Sequence, residues 1–449
     1  MPTLEQLCDW DQRHYWHAFT QMADYRPLVI EKASGCWLYD TAGKRYLDGV
    51  SSLWCNVHGH RHPRIDAAIR AQLDSVAHCT SLGLTNPTGI LLAKRLADLS
   101  PGNLQHVFFA CDGSNAVEVA LKMAFQYWQQ CERPQPKKTT YVALGDAYHG
   151  DTLGSTSVGG IPLFHAIFSP LLFDVLRVAT PDAHRLPANV TAETACSHYL
   201  QELEQLLAER HEEIAAVVIE PLVQGAAGMI LHPDGYLRGV RQLTRQYDVL
   251  LIADEIVTAF GRSGQMFACN QEQVVPDLMC LGKGITGGYL PLAATLATEE
   301  VYSAFLGPIF PEPGENQKTF FHGHTYGGNP LAAAAALASL DVLEEEGVLE
   351  KLPAKSAHLA KILAACQSLP QVESTRQLGM LAAIDMCTEH RSDRWEASRI
   401  AQKVCQKALE HNLWIRPLGG TLIIVPPLAI DQDELEHLEK SLIESIVDC

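Results

Sequence analysis

The chain has 449 residues, 47% of them hydrophobic, enough apolar surface for a large buried core and, at this length, for two or three structural units. Lysine and arginine number 34 against 52 aspartates and glutamates, and the formal charge of -18 argues against nucleic acid or an anionic membrane as partner, which leaves small molecules. The opening MPTLEQLCDWDQRHYWHAF carries acidic residues and no unbroken apolar core of a secretory signal, and no later run reaches the roughly 18 apolar residues of a membrane span, so a cytoplasmic location is expected.

The 13 cysteines are scattered from Cys8 to Cys449 with no CxxC pair, the usage of reduced thiols packed as small core residues rather than of a disulfide framework or a zinc site. After a tail of about thirty residues, CWLYDTAGKRYLDGVSS (Cys36 to Ser52) alternates apolar and polar positions around a Thr-Ala-Gly-Lys turn, which predicts a two-stranded ribbon. An amphipathic helix opened by Pro63 is expected over His62 to Ala77. Strand-like and helix-like stretches then alternate: HVFFAC, AVEVALKMAFQYW, TTYVAL, AAVVIEPLV, YLRGVRQLTRQY, VLLIADEIV and LPLAATLAT. That alternation predicts an α/β fold, a mostly parallel sheet with helices on both faces. Leu306 to Gln317, rich in proline and glycine, reads as a surface loop; an alanine-rich helix from Pro330 to about Glu346 then leads into a last α+β unit with LAAIDM and TLIIVPP as strands.

Two segments carry the chemistry. Asp254 ends the apolar run Val249 to Ala253, which places it at the carboxyl end of a central strand, where open α/β sheets bind ligands. Downstream, Lys283 stands between glycines in Leu-Gly-Lys-Gly. A buried lysine has a lowered pKa and can act as nucleophile and proton shuttle, and an anion beside a pyridine nitrogen makes that ring an electron sink. Together they suit pyridoxal phosphate, whose aldehyde needs an amine and whose ring nitrogen needs an anion. Each alone has a plain alternative: a surface lysine in a glycine-rich loop, a helix-capping aspartate.

Gly113 and Ser114, in CDGSN between the strand HVFFA and a helical run, fall at a helix N-terminus, where free N–H groups favour a phosphate. Tyr148, after the strand TTYVAL, either stacks on a coenzyme ring or packs in the core. The histidine clusters His58/His60/His62 and His322/His324 lie in turns without a carboxylate or thiolate to complete a metal site, so no metal is expected.

DQRHYWHAFTQM, SSLWCNVHGHRHP, DGSNAVEVALKMAFQYW, AYHGDT, IEPLVQGAAGM, ADEIVTAFGRSGQMFAC, LGKGITGG, HGHTYGGNP and WIRPLGG, in this order, resemble the class-III (ω-amino acid) aminotransferases of the fold-type I pyridoxal phosphate enzymes over nearly the whole chain. The resemblance implies a large coenzyme-binding domain over 62–335, with a seven-stranded type of sheet, and a smaller α+β domain of 336–449 to which 1–61 contributes. It also implies Lys283 as the Schiff-base residue, Asp254 as partner of the pyridine nitrogen, Gly113 with Ser114 as phosphate cradle, and Tyr148 stacked on the coenzyme. Glu220 and Gln224 match the polar pair beside the ring. Trp54, Phe19, Gly323 and Arg416 match substrate-contacting positions, with Arg416 on the distal carboxylate of a keto substrate. His324 and Thr325 match the segment that reaches the phosphate of the neighbouring subunit, which implies a homodimer with shared sites.

Two departures concern the amino donor. Members that use S-adenosylmethionine carry tyrosine where this chain has Phe19 and tryptophan where it has Leu53; relatives with Phe, a non-Trp residue and TFFHGH use lysine. Both donors stay open, as do an ω-aminotransferase acting on acetylornithine, 4-aminobutyrate or a polyamine and, outside enzymes, a coenzyme-binding regulator.

Overall fold

The strand Leu250–Asp254 is buried along its whole length and lies inside a seven-stranded sheet. Its alternate residues face opposite ways, as the two-residue period of a strand requires: Leu251 and Ala253 join one apolar cluster, Leu250 and Ile252 another. Two covered faces explain why the strands read as continuous apolar runs, IAAVVI above all. The structure, a computed structural model, describes residues 2–313, 317–388 and 394–449.

Across this sheet the order is His106–Ala110, Ala293–Ala297, Leu278–Leu281, Leu250–Asp254, Ile214–Ile219, Thr140–Leu144 and Leu176–Val178. Only Ala293–Ala297 runs antiparallel to its neighbours. The mostly parallel sheet is therefore as expected, and its consequence is geometric: Asp254, Glu220 just beyond Ile214–Ile219, and the Gly145–His149 turn beyond Thr140–Leu144 all emerge at one edge.

The expected ribbon is present as Trp37–Asp40 paired with Arg45–Asp48, but it belongs to a four-stranded sheet, with Ile30–Ser34 on one side and Leu413–Trp414 added in parallel on the other. LAAIDM and TLIIVPP supply Leu381–Met386 and Thr421–Ile424, between Val372–Leu378 and Arg416–Leu418 in a further antiparallel sheet. The helix expected from Pro63 spans Pro63–Ser75, and the alanine-rich one Pro330–Glu345. In the tail, Leu4–His14 forms a helix that the periodicity did not announce; the signal was local, a capping box between Thr3 and Gln6. Residues 314–316 of the loop expected over Leu306 to Gln317 lie outside the described residues.

Arg376 ties the last sheet to the turn between Val223–Gln224 and Ile230–Leu231. Arg376 donates through Nε to the carbonyls of Gly228 and Met229, at 2.9 Å each, and through Nη1 and Nη2 to Asp385 at 2.5 and 3.1 Å. Burial alone raises the Asp385 carboxyl, but Arg376, with Thr421 and Ser374, outweighs it and holds the group at about 2. The folded-state pKa is thus depressed, so the pair's contribution is present above the ordinary 3.8 and is lost as pH falls through about 2. Asp385→Ala leaves the guanidinium buried without its anion and is expected to cost about 3–5 kcal/mol in denaturant unfolding at neutral pH; a loss below about 1 kcal/mol would contradict this account.

Candidate active site

Asp254 is 5% exposed at the end of its strand. One of its oxygens accepts the Ile256 backbone N–H at 3.1 Å and the other meets Nδ1 of His149 at 2.7 Å. His149 is buried, and although burial lowers its pKa, the hydrogen bond and charge of Asp254 outweigh that and raise it. Beside them Glu220 is 4% exposed and accepts the N–H groups of Tyr148 (3.1 Å) and Gly225 (2.9 Å). Burial lifts its carboxyl to about 7, with Asp254 adding to the rise and His149 opposing it.

Lys283 opens a short turn, Lys283–Thr286, with φ +42°, a left-handed value uncommon for a residue with a side chain. Gly287 (φ +64°) caps this turn, and Gly288 (φ +86°) lets the Cys55–Asn56 backbone approach it, since a Cβ there would sit 2.9 Å from that backbone. The Lys283 pKa is lowered by burial, against which the charges of Asp254 and Glu220 act. Its Nζ lies 5.8 Å from the centre of the Trp54 ring.

The helix Gly113–Gln130 starts beside this turn, since a Cβ on Gly282 would be 3.6 Å from the Gly113 Cα. Asp112 occupies the N–H groups of Asn115 and Ala116, and among the described residues those of Gly113 and Ser114 have no acceptor. Ser114 Oγ accepts the Asp151 N–H at 3.2 Å, and Asp151 in turn accepts the Tyr148 hydroxyl at 2.7 Å. Burial, then this bond to Asp151, raises the Tyr148 pKa.

A cavity of about 570 Å³ opens over Lys283. Trp54, Tyr148, Phe19, Leu53 and Arg416 line it, together with Phe164, whose ring makes edge contacts with Phe19 at 5.4 Å and with Tyr148 at 6.1 Å. Trp54 is presented by a strained loop: Ser51, Ser52 and Trp54 all have positive φ. Asp48 secures that loop through the N–H groups of Val50 and Ser52, and the buried Arg262 grips Ser51 Oγ at 2.8 Å and the carbonyls of Asn56 and Pro426. Gly323, His324 and Thr325 do not line this cavity; Gly323 and Thr325 are exposed.

The family model for class-III aminotransferases matches residues 19–446. The chain belongs to the class-III aminotransferases. It is 48% identical to an adenosylmethionine-8-amino-7-oxononanoate aminotransferase of Geobacter sulfurreducens, over 98% of this chain and 97% of that one. Its fold superposes with a TM-score of 0.91 on a crystal structure of the enzyme of the same name from Methanocaldococcus jannaschii, at 40% identity and 99% coverage of both chains. It also superposes, with a TM-score of 0.89 and 34% identity over 97% of this chain and 99% of the other, on an amine transaminase from an uncultivated Pseudomonas species in a PLP-bound form.

The residues of this aminotransferase fit such a coenzyme. The buried Asp254 carboxylate and the half-buried Lys283 side chain stand at the same sheet edge, and among the described residues a helix N-terminus offers two free N–H groups and two buried polar atoms, Gln224 Oε1 and His149 Nε2, have no partner. Reading the sequence picked out Lys283, Asp254, Gly113, Ser114, Tyr148 and Glu220, and the fold brings them together. It gave no role to His149, whose place next to Tyr148 hid its contact with a residue 105 positions away. It likewise passed over Phe164 and Arg262, since neither periodicity nor a local motif distinguishes an aromatic wall or a buried strut.

Because the folded-state pKa of Glu220 is raised, its contribution to stability is present below the ordinary 4.5 and is lost as pH rises through about 7. Thermal unfolding of Glu220→Gln is therefore expected to vary less with pH than the wild type between those values; two parallel curves would show that the carboxyl carries no such penalty.

Proposed function

We infer that the chain transfers an amino group to 8-amino-7-oxononanoate, forming 7,8-diaminononanoate for biotin biosynthesis, with pyridoxal 5'-phosphate as coenzyme. The observation that carries this is the convergence of the Lys283 amine and the Asp254 carboxylate beneath a cavity shared with Arg416, in a chain 48% identical to a protein bearing that name. When bound, pyridoxal phosphate supplies an aldehyde to receive the amino group and a ring to hold the electrons of the broken C–H bond.

Lys283 anchors the coenzyme, and burial, by lowering its pKa, favours the neutral amine that attachment and proton transfer require. With the coenzyme bound, the same Lys283 nitrogen would be placed to take up and return the proton that amino transfer requires in both half-reactions. Asp254 keeps a proton on the ring nitrogen, and His149, bonded to its second oxygen, fixes the carboxylate's orientation. Gly113 and Ser114 hold the phosphate with backbone N–H groups and the hydroxyl. Tyr148, on the cavity lining, would pack against the ring, with Glu220, bonded to the Tyr148 N–H, nearby. Trp54 and Phe19 exclude water around the alkyl chain, and Arg416, which has no anionic partner among the described residues, takes the keto acid's carboxylate.

A homodimer with shared sites accounts for the positions of Gly323, His324 and Thr325. They stand outside their own chain's cavity on a surface that also exposes Phe321 (75%) and Tyr326 (61%), aromatic area that calls for a partner. The pairing of Leu413–Trp414 with Arg45–Asp48 supports a small domain built from 1–61 and 336–449 against a large domain of 62–335. A cytoplasmic location accords with the free thiols, Cys387 and Cys449 among them exposed. For the donor, the name of the relatives favours S-adenosylmethionine, whereas Phe19 and Leu53 favour lysine; incubation of the purified protein with 8-amino-7-oxononanoate and each donor separately decides between them.

Lys283→Ala is expected to abolish turnover and the coenzyme's protein-linked visible absorption; an unchanged spectrum would remove Lys283 from this role. Arg416→Ala is expected to raise KM for the keto acid by about tenfold or more, the loss of a charge-assisted hydrogen bond, with a smaller effect on the donor; equal effects would contradict the assignment.

A further inference from the structure

The cavity over Lys283 serves two substrates whose remote charges are opposite, a statement that rests on the aminotransferase reading above. The keto acid ends in a carboxylate, matched by Arg416. Both donors under consideration are α-amino acids whose side chain is cationic, through an ammonium in lysine and a sulfonium in S-adenosylmethionine. A cation that enters a cavity walled by Phe19, Leu53, Trp54 and Phe164 gives up part of its hydration, and a carboxylate on that wall offsets the loss and adds charge selectivity to what the ring faces supply.

Among the described residues lining the cavity, Asp146 is the only carboxylate; the other charged groups there are Arg185, Lys283 and Arg416. Arg185 is already paired with Asp385 at 2.8 Å. Glu220 and Asp254 are committed to backbone N–H groups and to His149. Asp146 follows the strand Thr140–Leu144 and so stands at the ligand-binding edge of the sheet.

Its position is built. The backbone at Asp146 has φ +52°, and the turn is closed by the Gly160 N–H to the Ala147 carbonyl at 2.7 Å and the Gly145 N–H to the Val178 carbonyl at 2.8 Å. A Cβ on Gly160 would come within 2.6 Å of the Asp146 nitrogen, so the two segments meet at a glycine. Thr180 Oγ1 donates to Asp146 Oδ2 at 2.9 Å, which orients the carboxylate, while Oδ1 has no partner among the described residues. Asp146 is thus an exposed carboxylate on the cavity lining with one oxygen fixed by Thr180 and the other without a partner among the described residues, which leaves it available to a ligand.

We propose that Asp146 determines donor specificity by receiving the side-chain cation of the amino donor, as Arg416 receives the carboxylate of the keto acid. The test compares half-reactions of the coenzyme-loaded enzyme, followed by the coenzyme spectrum, with lysine against norleucine and S-adenosylmethionine against S-adenosylhomocysteine, pairs that differ in that cation. The wild type is expected to favour the charged member of one pair by roughly tenfold or more in the apparent second-order rate constant, and that pair names the donor. Asp146→Asn is expected to bring this ratio to within about threefold and Asp146→Glu to restore it, while the half-reaction with 8-amino-7-oxononanoate changes by less than about threefold in either.

A charge preference that survives Asp146→Asn, or an equal fall in the keto-acid half-reaction, overturns the proposal and leaves the aminotransferase reading intact. Failure of the wild type to react with 8-amino-7-oxononanoate overturns both.

Discussion

The structure is organised around the cost of holding a carboxylate and an amine out of water at one sheet edge. Asp254 is 5% exposed, and an ion so buried survives only where its lone pairs are used. The Ile256 N–H and the His149 ring use them. Lys283 faces the same penalty, which lowers its pKa, and the nearby carboxylates offset part of it. The burial that lowers the Lys283 pKa also favours the neutral, nucleophilic form of its amine. Sheet topology places them there: adjacent parallel strands Leu250–Asp254 and Leu278–Leu281 deliver their following residues to a common edge.

Around that pair the fold spends backbone strain and buried polar contacts. Lys283, Ser51, Ser52 and Trp54 all adopt left-handed backbone conformations. Such residues persist only where the surroundings over-determine them, and here Asp48 and Arg262 do so for the Trp54 loop. Arg376 performs a related task farther out, joining the C-terminal sheet to the Gly228–Met229 turn close to cavity-lining Ala226, Ala227 and Ile230. The cavity wall is thus assembled from segments distant in sequence and fastened by guanidinium groups.

Much of this was legible in the sequence. Parallel strands buried on both faces must be apolar throughout, so IAAVVI and VLLIAD announced a covered sheet, and an acidic residue closing such a run marked its ligand-binding end. Gly113 and Ser114 were legible because strand, turn and helix follow within a few residues. The site's cross-chain contacts were not: His149 with Asp254, Arg262 with Ser51, and the Phe19–Phe164 edge contact depend on how distant segments meet, which no local period encodes. The helix Leu4–His14 was missed for a different reason, as its apolar positions Leu4, Leu7 and Cys8 span barely one turn and none of its residues is buried.

The central claim is that one nitrogen, the Lys283 amine, carries the coenzyme opposite Asp254. Borohydride reduction of the coenzyme-loaded protein, followed by proteolysis and peptide mass analysis, tests it most directly. The account predicts a single pyridoxyl-phosphate adduct on the peptide containing Lys283; an adduct on another lysine, with Lys283 unmodified, would contradict it.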